Sequence, residues 1–310
     1  MDFLISNTHI SPVYLISVGF IVGVLGGFFG VGGSFLVGPA LFGAGVPMNF
    51  VVGTDLAHIV GKSIVAARKH RTLGNIDLRL GGIMVIGTIA GVEMGAQVIQ
   101  QLKRTAHIDG VVGGSFIFIL LGISSFMAWE SWRTLQMNRA EKRAAPKSKK
   151  VSPPGDKSAF AHIAKKIQSF GLPPHLSLPA SGIERISIWS IIVVAFIGGF
   201  FSGFLGGGAG YIRMPSMIYL LGIPTHIAVG TDLFEIIISA GYGTFTHALK
   251  GNVDILIALV MHTGAAIGAQ LGATLTQYFI GSRIRMAFIP LPLIGAAIIL
   301  HGLLTGHHAK

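Results

Sequence analysis

Apolar runs long enough to cross a bilayer recur along the whole of this 310-residue chain, at about 14–44, 51–67, 78–98, 111–129, 187–222, 226–247, 254–275 and 284–302. About 20 such residues span the roughly 30 Å of bilayer hydrocarbon as a helix. No water reaches the peptide groups there, so each run must satisfy its own backbone, and helices do so. The pattern predicts an all-α polytopic membrane protein of about eight transmembrane helices, with ten as the alternative count. Segments 14–44 and 187–222 are too long for one plain helix, and each carries a glycine-rich interruption and a proline, Pro39 or Pro215. Broken helices are expected there, and in a membrane broken backbone must face protein or a wet cavity.

Composition narrows the class. Charged residues are 11% of the chain, against about 25% in soluble domains. The 44 glycines suit close helix packing through small residues. Net charge is +11, which in a soluble chain would point to nucleic acid, but its placement argues otherwise. Residues 1–61 hold no Lys or Arg, whereas residues 130–185 hold eleven against four Asp or Glu. That asymmetry is a topology signal and excludes a nucleic-acid partner. The reading is a multi-pass protein of the cell inner (plasma) membrane: a first transmembrane repeat over 1–129, a basic cytoplasmic linker over 130–185, and a second repeat over 186–310. The first apolar stretch, without a basic flank or clear cleavage site, reads as a retained span. With no cysteine, thiol chemistry and thiolate metal sites are excluded, and no cofactor or metal is expected.

The halves repeat each other. Gly45–Asp77 and Gly222–Asp254 are identical at 12 of 33 positions without a gap. The matches include Gly-Thr-Asp-Leu, His70 with His247, and Gly-Asn-x-Asp at Gly74–Asp77 and Gly251–Asp254. A duplicated bundle is the usual scaffold of a secondary transporter, with its site between the repeats. Counting crossings leaves orientation open. Four spans per half make the repeats parallel; five make them inverted.

Ionisable groups inside the apolar runs are the candidate site residues, because an ionised side chain at mid-bilayer costs at least ~3 kcal/mol. Asp55, His58 and Glu93 belong to the first half, and Asp232 and Glu235 to the second. Asp55 and Asp232 occupy equivalent positions and fit helix capping, a wet cavity with a proton- or substrate-linked role, or interhelical packing. His58 and Glu235, also equivalent, could form a His–carboxylate relay across the symmetry axis. Glu93 fits a second titratable group or a partner for Lys62. Lys62 and Arg213 are the candidate in-membrane cations for an anionic substrate, unless they snorkel to headgroups. The glycines at the breaks, Gly30, Gly32, Gly33, Gly206, Gly208 and Gly210, can present backbone N–H groups to an anion or simply pack. They lack the strand–turn–helix setting and Lys-Ser/Thr ending of a nucleotide loop. Asn75, Asp77, Asn252 and Asp254 read as structural caps and turns.

These motifs resemble the sulfite exporter TauE/SafE family, the sulfonate-uptake-type permeases. The resemblance rests on Gly30-x-Gly32-Gly33 with Pro39, Gly53-Thr54-Asp55 and Gly74-Asn75-x-Asp77. It recurs as Gly206-x-Gly208 with Pro215, Gly230-Thr231-Asp232 and Gly251-Asn252-x-Asp254. It implies transport of sulfite, organosulfonates or related small anions, with the lipid bilayer as the surrounding partner and Pro39 and Pro215 near the substrate. The expected function is a proton- or ion-coupled secondary anion transporter working by alternating access. The alternative is an anion channel or passive pore, and an enzyme is not expected. A homo-oligomer is compatible with the sequence.

Overall fold

The computed structural model describes residues 1–104, 108–144, 161–169, 172–206 and 210–305. A two-stranded hairpin, β1 (Asp2–Phe3) and β2 (Thr8–His9), precedes α1 (Pro12–Phe29) and α2 (Ser34–Gly43). Three long helices follow: α3 (Met48–Thr72), α4 (Leu78–Leu102) and α5 (Ile108–Ala144). Short α6 (Ala161–Gln168) leads to a second hairpin, β3 (His175–Leu178) and β4 (Ile183–Ser187). The series then recurs as α7 (Ile188–Leu205), α8 (Gly210–Ser216), α9 (Thr225–Leu249), α10 (Ile255–Thr276), and α11 (Gly281–Phe288) with α12 (Pro290–Thr305). Among the described residues seven stretches are long and apolar enough to cross a membrane. The eighth long helix, α9, falls outside that set; it carries Asp232 and Glu235 and is the repeat mate of α3. The protein is a polytopic helical membrane protein built as a duplicated bundle.

Local chemistry sets the helix ends. Pro47 and Pro224 immediately precede α3 and α9, where a missing N–H is harmless. Asp77 caps α4 by accepting from the Arg79 and Leu80 amides, and Asp254 caps α10 from Leu256 and Ile257. Gly30 closes α1 at φ +74°, and Gly33 opens α2 at φ +73°. Left-handed backbone of this kind suits glycine. At Gly30 there is also no room: a Cβ would lie 2.5 Å from the Val229 Cα.

Glycines spaced every four residues bring helices from opposite halves into backbone contact. A Cβ on Gly19, Gly23 or Gly27 of α1 would run into the backbone of Met261, Ala265 or Ala269 on α10. The numbers rise together, so α1 and α10 run parallel. Gly87, Gly91 and Gly95 of α4 meet Ile192, Phe196 and Phe200 of α7 in the same way. Without a hydrophobic drive between helices in lipid, such close packing is what holds a bundle together.

These pairings decide the orientation of the repeats. The Tyr14 hydroxyl near the start of α1 donates to the Ala40 carbonyl near the end of α2, at 3.0 Å. Helix α2, about 15 Å long, therefore returns the chain to the face where α1 began. From there α3 crosses to the opposite face and α4 returns. Because α7 runs parallel to α4, it is antiparallel to its own repeat mate α1, so the repeats are inverted. The end of α9 confirms it, with Asn252 packed on Gly53 near the start of α3, while Asn75 beyond α3 packs on Gly230 near the start of α9. Counting crossings ties eight spans to parallel repeats. Eight long rods with inverted repeats arise because α2 and α8 are too short to count as spans yet still double back.

Candidate functional site

The two glycine breaks meet at the molecular centre. Gly206 packs on Val52 and Gly30 on its repeat equivalent Val229, while Gly210 packs on Val31 and on the Asp232 carboxylate. Both Gly-Thr-Asp motifs lie at this junction. Thr54 Oγ1 accepts from the Asp254 amide and Thr231 Oγ1 from the Asp77 amide, each at 2.9 Å. The motif threonines thus tie α3 to the cap of α10 and α9 to the cap of α4. Asp55 and Asp232 sit two turns inside their helices and cap neither.

The two aspartates have different partners. Arg213 of α8 is fully buried and forms ion pairs through Nε with Asp232 Oδ1 and through Nη1 with Glu235 Oε2, the latter at 2.6 Å. Ser239 donates to Glu235 Oε2 at 3.2 Å. The first repeat answers with Asp55, His58 and Lys62, all buried on α3. Lys62 Nζ lies 3.2 Å from His58 Nδ1, at the position where Ser239 meets Glu235 in the second repeat. His58 Nδ1 is 3.9 Å from Asp55 Oδ1, an ion-pair distance too long for a hydrogen bond. Both Asp55 carboxylate oxygens, His58 Nε2 and the Tyr211 hydroxyl are buried without a hydrogen-bond partner in the protein. Unpaired buried polar atoms are rare in native proteins, and Asp55 and its electrostatic neighbour Tyr211 bring three of them to the central cluster.

Several expected groupings form differently. Glu235 is taken by Arg213 and His58 faces Lys62, so these two residues do not pair with each other across the symmetry axis. Glu93 lies apart from the central cluster and from Lys62. It bonds Lys250, Gln97, Tyr242 and Thr246 towards the face where α9 ends. Neither Lys62 nor Arg213 snorkels, as both are fully buried. Pro39 packs on Gly295 inside α2. Pro215 lines an apolar cavity with Ile123, Phe126 and Tyr219, ahead of a π-helical turn at Met217–Leu221. Gly208 lies outside the described residues. Asn75 bonds His70, and Asn252 bonds Asn49 and Lys103.

Sequence reasoning missed Tyr211 and His262, although both are ionisable groups in apolar runs, the signal used for Asp55. It also missed the hairpins. Ser6 donates to Asp254 Oδ2 at 2.8 Å and Ser181 donates to Asp77 Oδ2 at 2.7 Å. Each hairpin thus precedes the first helix of one repeat and fastens a helix cap of the other.

The sulfite exporter TauE/SafE family model matches residues 15–299. The chain belongs to this family. It is 27% identical to the probable membrane transporter protein YunE of Bacillus subtilis, covering 95% of this chain and 100% of that protein. It is 23% identical to the probable membrane transporter protein YjnA of the same organism, covering 93% and 96%. A third relative, sulfite exporter TauE/SafE family protein 5 of Arabidopsis thaliana, is 26% identical over 120 residues, 37% of this chain and 27% of its own length. No solved structure matches the chain. As a TauE/SafE member the protein is a multi-pass membrane transporter of the small-anion class, with the bilayer as its surroundings, and not an enzyme.

Proposed function

We propose that the protein is a secondary transporter for sulfite, a sulfonate or a related small organic anion, coupled to protons and worked by alternating access between its two repeats. One observation carries this reading: five buried charged groups, Asp55, Lys62, Arg213, Asp232 and Glu235, meet where the two helix breaks cross. Such charges at membrane depth mark substrate and ion paths, and inverted repeats with broken helices rock around a central site. Arg213 is matched by two carboxylates and Lys62 by Asp55 alone, so Lys62 is the less compensated cation and the one offered to the anion. The three charges around Arg213 balance when one carboxylate holds a proton, which supplies a coupling site. The division into repeats at 1–129 and 186–310 around a basic linker belongs to the same proposal. So does a cytoplasmic location for the face where α7 begins, since Arg68, Lys69 and Arg71 at the end of α3 lie on it.

The test is uptake into proteoliposomes of sulfite, thiosulfate, sulfonates, sulfate and carboxylates, with internal pH recorded. Saturable flux accompanied by a pH change is expected, lost in Lys62→Met. Flux that does not saturate and moves no protons would identify a passive pore instead.

A further inference from the structure

Hydrogen-bond roles around Lys62 follow from its chemistry. An ammonium group has three donors and no acceptor. His58 Nδ1, 3.2 Å from Lys62 Nζ, must therefore accept, and the neutral ring carries its hydrogen on Nε2. That Nε2–H is buried and unpartnered, as is the hydroxyl of Tyr211, which comes from α8 of the other repeat. Tyr211 is an electrostatic neighbour of Asp55, and so is Lys62. His262 of α10 stands beyond Lys62 with its ring against Gly61. The α9 carboxylates Asp232 and Glu235 face Arg213 instead. Donors for an anion are thus Lys62 and Tyr211, while His58 holds Lys62 through Nδ1 and turns its Nε2–H away from it. Beside them stands Asp55, whose two carboxylate oxygens accept nothing from the protein.

An anion with oxygen acceptors alone would meet those donors but be repelled by Asp55, leaving that carboxylate unsatisfied. An oxyanion bearing one hydrogen satisfies Lys62, Tyr211 and Asp55 together. We propose that this site selects small oxyanions that carry a hydrogen-bond donor, of the hydrogen sulfite type, and that Asp55 is the specificity-determining residue that accepts the hydrogen. Lys62 and Tyr211 donate to the charged oxygens. The proposal rests on the anion-transport reading and adds which protonation form is bound.

The experiment measures binding of sulfite and of methanesulfonate, which has no donor hydrogen, to the full chain in lipid nanodiscs by calorimetry across a pH series. At mildly acid pH methanesulfonate should bind at least about tenfold more weakly, the usual cost of a charged group left without its hydrogen-bond partner. Sulfite binding should weaken as rising pH removes its hydrogen, while methanesulfonate binding stays flat. Asp55→Asn should narrow the gap, because a carboxamide brings donors and no charge. Equal affinity for the two anions in the wild type would overturn the proposal even if the variant does not fold. So would methanesulfonate binding that strengthens on acidification as sulfite binding does, since the hydrogen would then belong to Asp55. Saturable uptake of both anions without preference would sink the selectivity and leave the transport reading standing. No binding and no saturable uptake of either would sink both.

Discussion

Gly91→Ala tests the parallel backbone contact on which the inverted arrangement depends. A Cβ at Gly91 would lie 2.5 Å from the Phe200 amide nitrogen and 2.9 Å from the Gly199 carbonyl carbon, where ordinary contact begins at 3.4 Å. Those atoms are helix backbone and cannot rotate away, so α4 and α7 must part by about an ångström. Overpacking of this kind costs about 1–3 kcal/mol, and at roughly 2–4 °C for each kcal/mol the melting temperature should fall by several degrees. Gly82 on the same helix has nothing within 4 Å of an added Cβ. Gly82→Ala should therefore be neutral or gain up to about 1 kcal/mol from helix propensity. The repeat mate Gly268→Ala, whose Cβ would meet the Phe20 carbonyl and the Val24 amide nitrogen on α1, should behave like Gly91→Ala. Thermal unfolding of the detergent-purified protein, followed by intrinsic fluorescence, ranks the three variants. If Gly91→Ala and Gly82→Ala melt together, the helices do not meet through that glycine row, and the derivation of repeat orientation fails with it.

Arg213→Met should destabilise by about 3–5 kcal/mol, because it strands Asp232 and Glu235 in the interior. Adding Asp232→Asn and Glu235→Gln should restore much of the melting temperature, and no recovery would mean the triad is not a unit. Ser181→Ala and Ser6→Ala should each lower stability by about 1 kcal/mol through the buried capping aspartate they leave short of a donor. Hydrogen exchange should then rise at the start of α4 for the first variant and of α10 for the second. Glu93→Gln should leave the pH dependence of uptake unchanged, since its partners are Lys250, Gln97, Tyr242 and Thr246 and not the central cluster. A shifted pH profile would return Glu93 to the coupling path.

Much of this was legible in the chain. A bilayer forces long apolar runs into helices, so class and approximate span number follow from local composition. The duplication follows from Gly-Thr-Asp and Gly-Asn-x-Asp at constant offset, and the helix breaks from clustered glycines beside Pro39 and Pro215. Membrane depth makes ionisable residues conspicuous, which exposed Asp55, His58, Lys62, Glu93, Arg213, Asp232 and Glu235 as candidates. Their pairing was not legible. Arg213 reaches Asp232 and Glu235 only because α8 doubles back, and Glu93 finds Lys250 only because α4 and α9 end on one face. Repeat orientation turned on α2 and α8, whose length is ambiguous in a glycine-rich run, and one uncounted return reverses everything after it. The hairpins escaped notice because strands of two to five residues leave almost no periodicity, yet Ser6 and Ser181 hold opposite faces of the molecule. Local sequence decides what must be a helix in lipid; which charges neutralise one another depends on contacts between residues as far as 157 positions apart, and only the packed bundle sets those.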